Sequence, residues 1–133
     1  MSLEITLRER EGVTVLDLKG RITAGPEATA LRDQMAGFYQ DGRNVVLNLA
    51  HVDYIDSTGL GALVMCATSM RKHGANLKLL NLTRRNIELL VMTKLATVFE
   101  IFGDEQDAVN SFFPDRKIQK FDILNFVQQM KPE

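Results

Sequence analysis

Cysteine is nearly missing from this chain: Cys66 stands alone among 133 residues. An internal disulfide is excluded, no thiolate cluster can hold a metal, and a reducing cytoplasm is the expected compartment. A surplus of either charge is missing too, because 16 basic and 17 acidic side chains leave a formal net charge of −1. Nothing in that balance selects nucleic acid or an anionic membrane, and Arg71-Lys72 and Arg84-Arg85 read as solvated helix ends. No apolar run approaches the ~20 residues that a bilayer crossing needs. The amino terminus alternates Leu3, Ile5 and Leu7 with Glu4, Thr6 and Arg8, which matches neither a signal peptide nor a targeting helix. A soluble protein without direct membrane contact is expected. His51 and His73 are isolated and the carboxylates show no ligand spacing, so no metal and no cofactor is expected.

What is present is one domain's length of strand and helix patterns. Two alternating runs, Leu3 to Arg8 and Val13 to Lys19, meet at a turn containing Gly12 and predict an antiparallel hairpin. Gly25-Pro26 opens a helix with Ala28, Leu31, Met35 and Phe38 on one face, ending at Asp41-Gly42. The apolar, β-branched run Val45 to Leu49 predicts a strand covered on both faces. A second helix follows, with Leu60, Leu63, Val64, Ala67 and Met70 forming its buried stripe. A strand over Asn76 to Leu82 leads to Thr83, the cap of a helix carrying Ile87, Leu90 and Val91. Val98 to Phe102 is read as the last strand, and Asp104 caps a short helix through Ala108, Val109 and Phe112. This order predicts an α/β fold whose later strands pair in parallel, with the opening hairpin as an antiparallel edge.

Between the third strand and the second helix stands Asp56-Ser57-Thr58-Gly59-Leu60-Gly61. Asp56 or Ser57 starts the helix, and either can accept hydrogen bonds from first-turn N–H groups. Gly59 and Gly61 add no bulk that would shield the hydroxyls. Two readings of Ser57 are open: a plain helix cap, or a phosphoacceptor whose phosphate would sit at the positive end of the helix dipole. Asp56 likewise either caps the helix or orients the acceptor hydroxyl. A hydrolase triad is disfavoured, because a nucleophile elbow has glycine two positions before the serine and this chain has Ile55 there. A nucleotide cradle is disfavoured as well, since the glycines are not followed by Lys-Ser/Thr.

The segment Tyr54-Ile55-Asp56-Ser57-Thr58-Gly59-Leu60-Gly61-Ala62-Leu63 closely resembles the signature of the STAS domain, the fold of bacterial anti-sigma factor antagonists. Val15 to Ile22 followed by Ala30-Leu31-Arg32, and Asn76 to Leu82 followed by Leu95 and Val98 to Phe102, are similar to other parts of that family, so the resemblance covers about residues 3 to 113. It implies a single STAS-type domain over residues 1–113, with the phosphate on Ser57 and Thr58 as second choice. It also implies a mechanism in which the unphosphorylated chain binds an anti-sigma factor that is itself a serine kinase, freeing a sigma factor for transcription. Phosphorylation reverses this and a serine phosphatase restores it. This chain would then be no enzyme, and ATP with its metal would belong to the kinase. Arg21 and Thr23 depart from the family, whose antagonists often carry acidic residues there. A second role that the resemblance allows is a regulatory subunit of a membrane transporter of lipids or anions.

The second helix turns Gly61, Ala62, Met65, Thr68, Ser69 and Lys72 away from the expected core, a small and mild set. With Arg21 and Thr23, the residues Ala62, Met65 and Ser69 form a candidate partner surface, unless neighbouring loops or the carboxy-terminal helix cover it. Residues 114–133 form an extension with Ile118, Phe121, Leu124, Val127 and Met130 at helical spacing. Its apolar stripe docks on its own domain or on a second copy, as a homodimer.

Overall fold

Glu11 and Gly12 both take positive φ, 53° and 84°, as a type I′ turn requires, and they send the chain back on itself. The computed structural model describes residues 3–118 and 121–130, in which β1 (Leu3–Arg10) and β2 (Val13–Ile22) pair antiparallel across that turn. The chain continues as α1 (Pro26–Gln40), β3 (Val45–Ile55), α2 (Ser57–Lys72), β4 (Leu77–Leu80), α3 (Arg84–Met92), β5 (Glu100–Phe102), α4 (Glu105–Asn110) and α5 (Ile123–Met130). The strands form one sheet in the order β1-β2-β3-β4-β5, and every pairing after the first is parallel. This is the mixed, mostly parallel sheet with an antiparallel edge hairpin that the sequence predicts.

Because successive side chains point to opposite faces of a strand, β3 divides its apolar run between two cores. Val45, Leu47 and Leu49 join Leu31 and Met35 of α1, Leu63 and Met70 of α2 and Leu90 of α3. Val46 faces the other way, toward Val15, Leu80, Phe102 and α4's Ala108 and Val109. Cys66 is buried, and burial pushes its thiol up to about 11, so it stays protonated near neutral pH. At the sheet edge, Arg8 donates to Asp17 and Glu105 and ties β1 and β2 to α4. That contact, helped by Arg10, lowers the Glu105 carboxyl to about 2.

Several boundaries differ from the sequence reading. The third strand runs on past Leu49 through His51 to Ile55, which puts His51 on β3 opposite Lys19. This second half stays paired with β2, and a register shift between Gly20 and Arg21 lets Val52 and Ile55 both enter the larger core while Asp53 and Tyr54 are exposed. The strand expected over Asn76 to Leu82 is shorter, because Asn81 takes φ 58° and turns the chain out. The last strand keeps only Glu100–Phe102.

The carboxy-terminal helix starts at Ile123, later than the spacing from Ile118 suggests. Asp122 accepts from the Asn125 N–H at 2.9 Å and sets that start, while Ile118 lies in irregular backbone and is 40% exposed. The parts of the expected helix over 119–120 and 131–133 lie outside the described residues. Phe121 donates its N–H to the Ile101 carbonyl at 3.1 Å, and Phe121 and Ile123 pack against the larger core. Leu124, at 69% exposure, points away from it.

One buried polar contact fixes α3 against the sheet. Asn86 is 1% exposed, and its amide donates to the Val52 carbonyl at 2.9 Å. Asn86→Ala removes the donor and leaves that carbonyl unpaired, an expected loss of roughly 1–3 kcal/mol. Urea unfolding should show the midpoint fall, and an unchanged midpoint would contradict the assigned role of this bond.

Candidate functional site

Asp56 follows β3 in extended geometry, φ −89° and ψ 179°, and caps α2. Its Oδ1 accepts from the Gly59 N–H at 2.7 Å, its Oδ2 accepts from the Ala24 N–H at 3.0 Å, and its own N–H donates to the Ile22 carbonyl at 3.2 Å. One carboxylate therefore joins the first turn of α2 to the chain leaving β2. Backbone N–H groups, Gly59 first and Ala24 second, hold the Asp56 carboxyl below the usual carboxylate range. A lowered folded value means that this contribution to stability is in place above the ordinary aspartate pKa and is lost as pH falls through the lowered one. The stability difference between wild type and Asp56→Asn should therefore shrink on acidification below about pH 4. Urea midpoints at neutral and acid pH measure it, and a difference that does not change with pH would contradict the account.

Gly59 is present for packing. A Cβ built on it would lie 1.9 Å from the Ile22 carbonyl oxygen, so α2 can approach the end of β2 only with hydrogen at this position. Gly61 differs, for a Cβ there would meet nothing within 4 Å. Ser57 and Thr58 are exposed on the first turn, and among the described residues neither hydroxyl has a hydrogen-bond partner. The carboxylate is committed to the backbone while the hydroxyl beside it faces solvent.

The other candidate residues lie around this point. Arg21 is exposed and sits opposite Tyr54 in the β2–β3 register, and the Thr23 hydroxyl donates to Glu27 at 3.2 Å. Met65 is 58% exposed and Ser69 half-buried, but Ala62 is only 5% exposed. Ala62 therefore does not face outward as the helical spacing suggests. It lines a groove of about 240 Å³ between α1 and α2, with Ala28, Arg32, Thr58 and Met65. His73 bonds the Ser69 carbonyl at 2.9 Å near the far end of the 16-residue α2, roughly 24 Å from Ser57 at 1.5 Å per residue. That distance removes His73 from any triad with Ser57.

A second feature is not evident from the sequence reading. A cavity of about 290 Å³ opens beside Ser57, between the end of β3 and α3, and is lined by Tyr54, Asp56, Ser57, Arg85, Leu89 and Met92 among others. Arg85 is more than a solvated helix end, because its guanidinium lies 4.8 Å from the centre of the Tyr54 ring. A general signal points to this place: in a parallel sheet, crevices form beyond the carboxyl ends of the strands, where β3 ends and α3 begins.

The model of the STAS domain matches residues 4–108. The anti-sigma-B factor antagonist of Bacillus subtilis (strain 168) is 29% identical over 109 residues, covering 82% of this chain and 99% of that protein. The anti-sigma-B factor antagonist of Listeria monocytogenes is 32% identical over 103 residues, 76% of this chain and 88% of that protein. Among solved structures, the Bacillus anti-sigma factor antagonist SpoIIAA is similar in its unphosphorylated form, with a TM-score of 0.71 at 14% identity over 86% of this chain and 100% of that one. Its phosphorylated form gives a TM-score of 0.64 at 15% identity over 82% and 99%. Those two likenesses show the fold, and the sequence match spans the sheet and the Asp56-Ser57 turn. On that evidence, the chain belongs to the STAS domain family.

Proposed function

We propose that this chain is an anti-sigma factor antagonist, a protein-binding switch controlled by phosphorylation of Ser57. Unphosphorylated, it binds an anti-sigma factor with serine kinase activity and frees a sigma factor to activate transcription. A serine phosphatase resets it, and the cycle runs in the cytoplasm. The reading is carried by one observation: Ser57 is exposed on the first turn of α2 with no hydrogen-bond partner among the described residues, while Asp56 takes the cap. A phosphate there meets the positive end of the helix dipole, which favours it by roughly 0.3–1 kcal/mol at an exposed site. The same phosphate brings about −1.5 to −2 charges to the binding surface. The fold tolerates the modification and the interface does not. Thr58 is the second-choice acceptor.

The partner face is assigned to Arg21, Thr23, Met65 and Ser69 around Ser57, with Ala62 at the floor of the neighbouring groove. Names of the relatives, which are anti-sigma-B factor antagonists in two genera, support this reading over a transporter subunit. Affinity purification from native cells tests it. Recovery of a kinase-type anti-sigma factor is the expected result, and recovery of an ATPase or permease in its place would overturn the reading.

A further inference from the structure

We propose that Arg85 is the internal receptor of the Ser57 phosphate, so that phosphorylation draws its guanidinium off the Tyr54 ring and rebuilds the mouth of the cavity beside the switch. The inference rests on Ser57 being the phosphoacceptor. Ser57 and Arg85 line the same cavity of about 290 Å³, the space of roughly ten waters at ~30 Å³ each, which admits a phosphoryl group without backbone movement. Arg85 is the one cation among the described residues lining it. Its contact is the face of Tyr54 at 4.8 Å, and among the described residues it makes no hydrogen bond or ion pair.

The acidic groups of this cavity, in contrast, are already engaged. Asp56 accepts from Gly59 and Ala24, and Glu88 accepts from Arg84 Nε at 3.3 Å. A dianionic phosphate entering here meets one uncommitted fork of N–H donors. Charge-assisted, bidentate hydrogen bonds to phosphate are stronger than an exposed contact with an aromatic face, so the guanidinium changes partner. Tyr54, 36% exposed, then loses the cation on its ring, at a cavity that Met92, 77% exposed, also lines. A partner thus encounters a changed apolar mouth as well as a new charge.

The test uses the full chain with phosphoserine installed genetically at position 57, titrated by phosphorus NMR while the Tyr54 ring is followed by proton NMR. The second phosphate pKa should lie about half a unit or more lower in wild type than in Arg85→Ala, since a facing cation favours the dianion. Arg85→Lys should be intermediate, because a lysine offers a point charge without the fork. Lys72→Ala, which removes an exposed charge in the last turn of α2, should leave the value unchanged, and the Tyr54 ring should shift on phosphorylation only when Arg85 is present. Equal titrations for wild type and Arg85→Ala, or an equal displacement by Lys72→Ala, would overturn the proposal. Because the phosphate is installed and not transferred by a kinase, a flat result counts against the Arg85 receptor alone. The phosphoacceptor reading fails separately, if the native protein carries its phosphate elsewhere.

Discussion

Gly59→Ala is expected to cost roughly 3 kcal/mol or more, the upper end of what inserting one methyl into a packed site costs. The added carbon would stand 1.9 Å from the Ile22 carbonyl oxygen and 2.7 Å from its carbon, and both are backbone atoms. No rotamer change relieves such a clash. The end of β2 must separate from the first turn of α2, and the Asp56 bonds to Ile22 and Ala24 stretch with it. Gly61→Ala is the matched control, since its methyl enters open space and alanine favours a helix over glycine by roughly 0.5–1 kcal/mol. In urea unfolding the first variant should lose much of its midpoint while the second equals or exceeds wild type. Equal behaviour of the two would show that α2 does not depend on its approach to β2.

Ser57→Asp is expected to weaken partner binding by about ten- to a hundredfold, one or two units of ~1.4 kcal/mol, and the full phosphate by about a hundred- to a thousandfold. Ser57→Ala should bind as wild type and accept no phosphate at this position. Stability should move little in either variant, since a negative charge on the first turn favours α2 by roughly 0.3–1 kcal/mol. Calorimetric titration against the purified partner, set beside urea midpoints, separates the two effects. Loss of stability in step with loss of binding would mean that Ser57→Asp acts by damaging the fold, and the surface-switch account would fail.

Order and type of the elements are legible in the sequence because each carries its own period and punctuation. Pro26, Thr83 and Asp104 mark helix starts, and Gly12 marks the hairpin. The length of β3 is less legible, for its second half buries only Val52 and Ile55 and leaves His51, Asp53 and Tyr54 in solvent. Ala62 is misplaced by a single-stripe reading of α2 because that helix packs on the sheet with one side and on α1 with another. Two covered sides leave Gly59, Ala62 and Cys66 buried together with Leu60 and Leu63. At the site, the Asp56-Ser57 turn is readable from local residues. The proximity of Arg85 is not, because Tyr54 and Arg85 are distant in sequence and meet only through the crossover from β4 into α3.

Tandem mass spectrometry of the chain isolated from its own cells tests the central claim most directly. The account predicts phosphate on Ser57. Phosphate found only at another residue would contradict it.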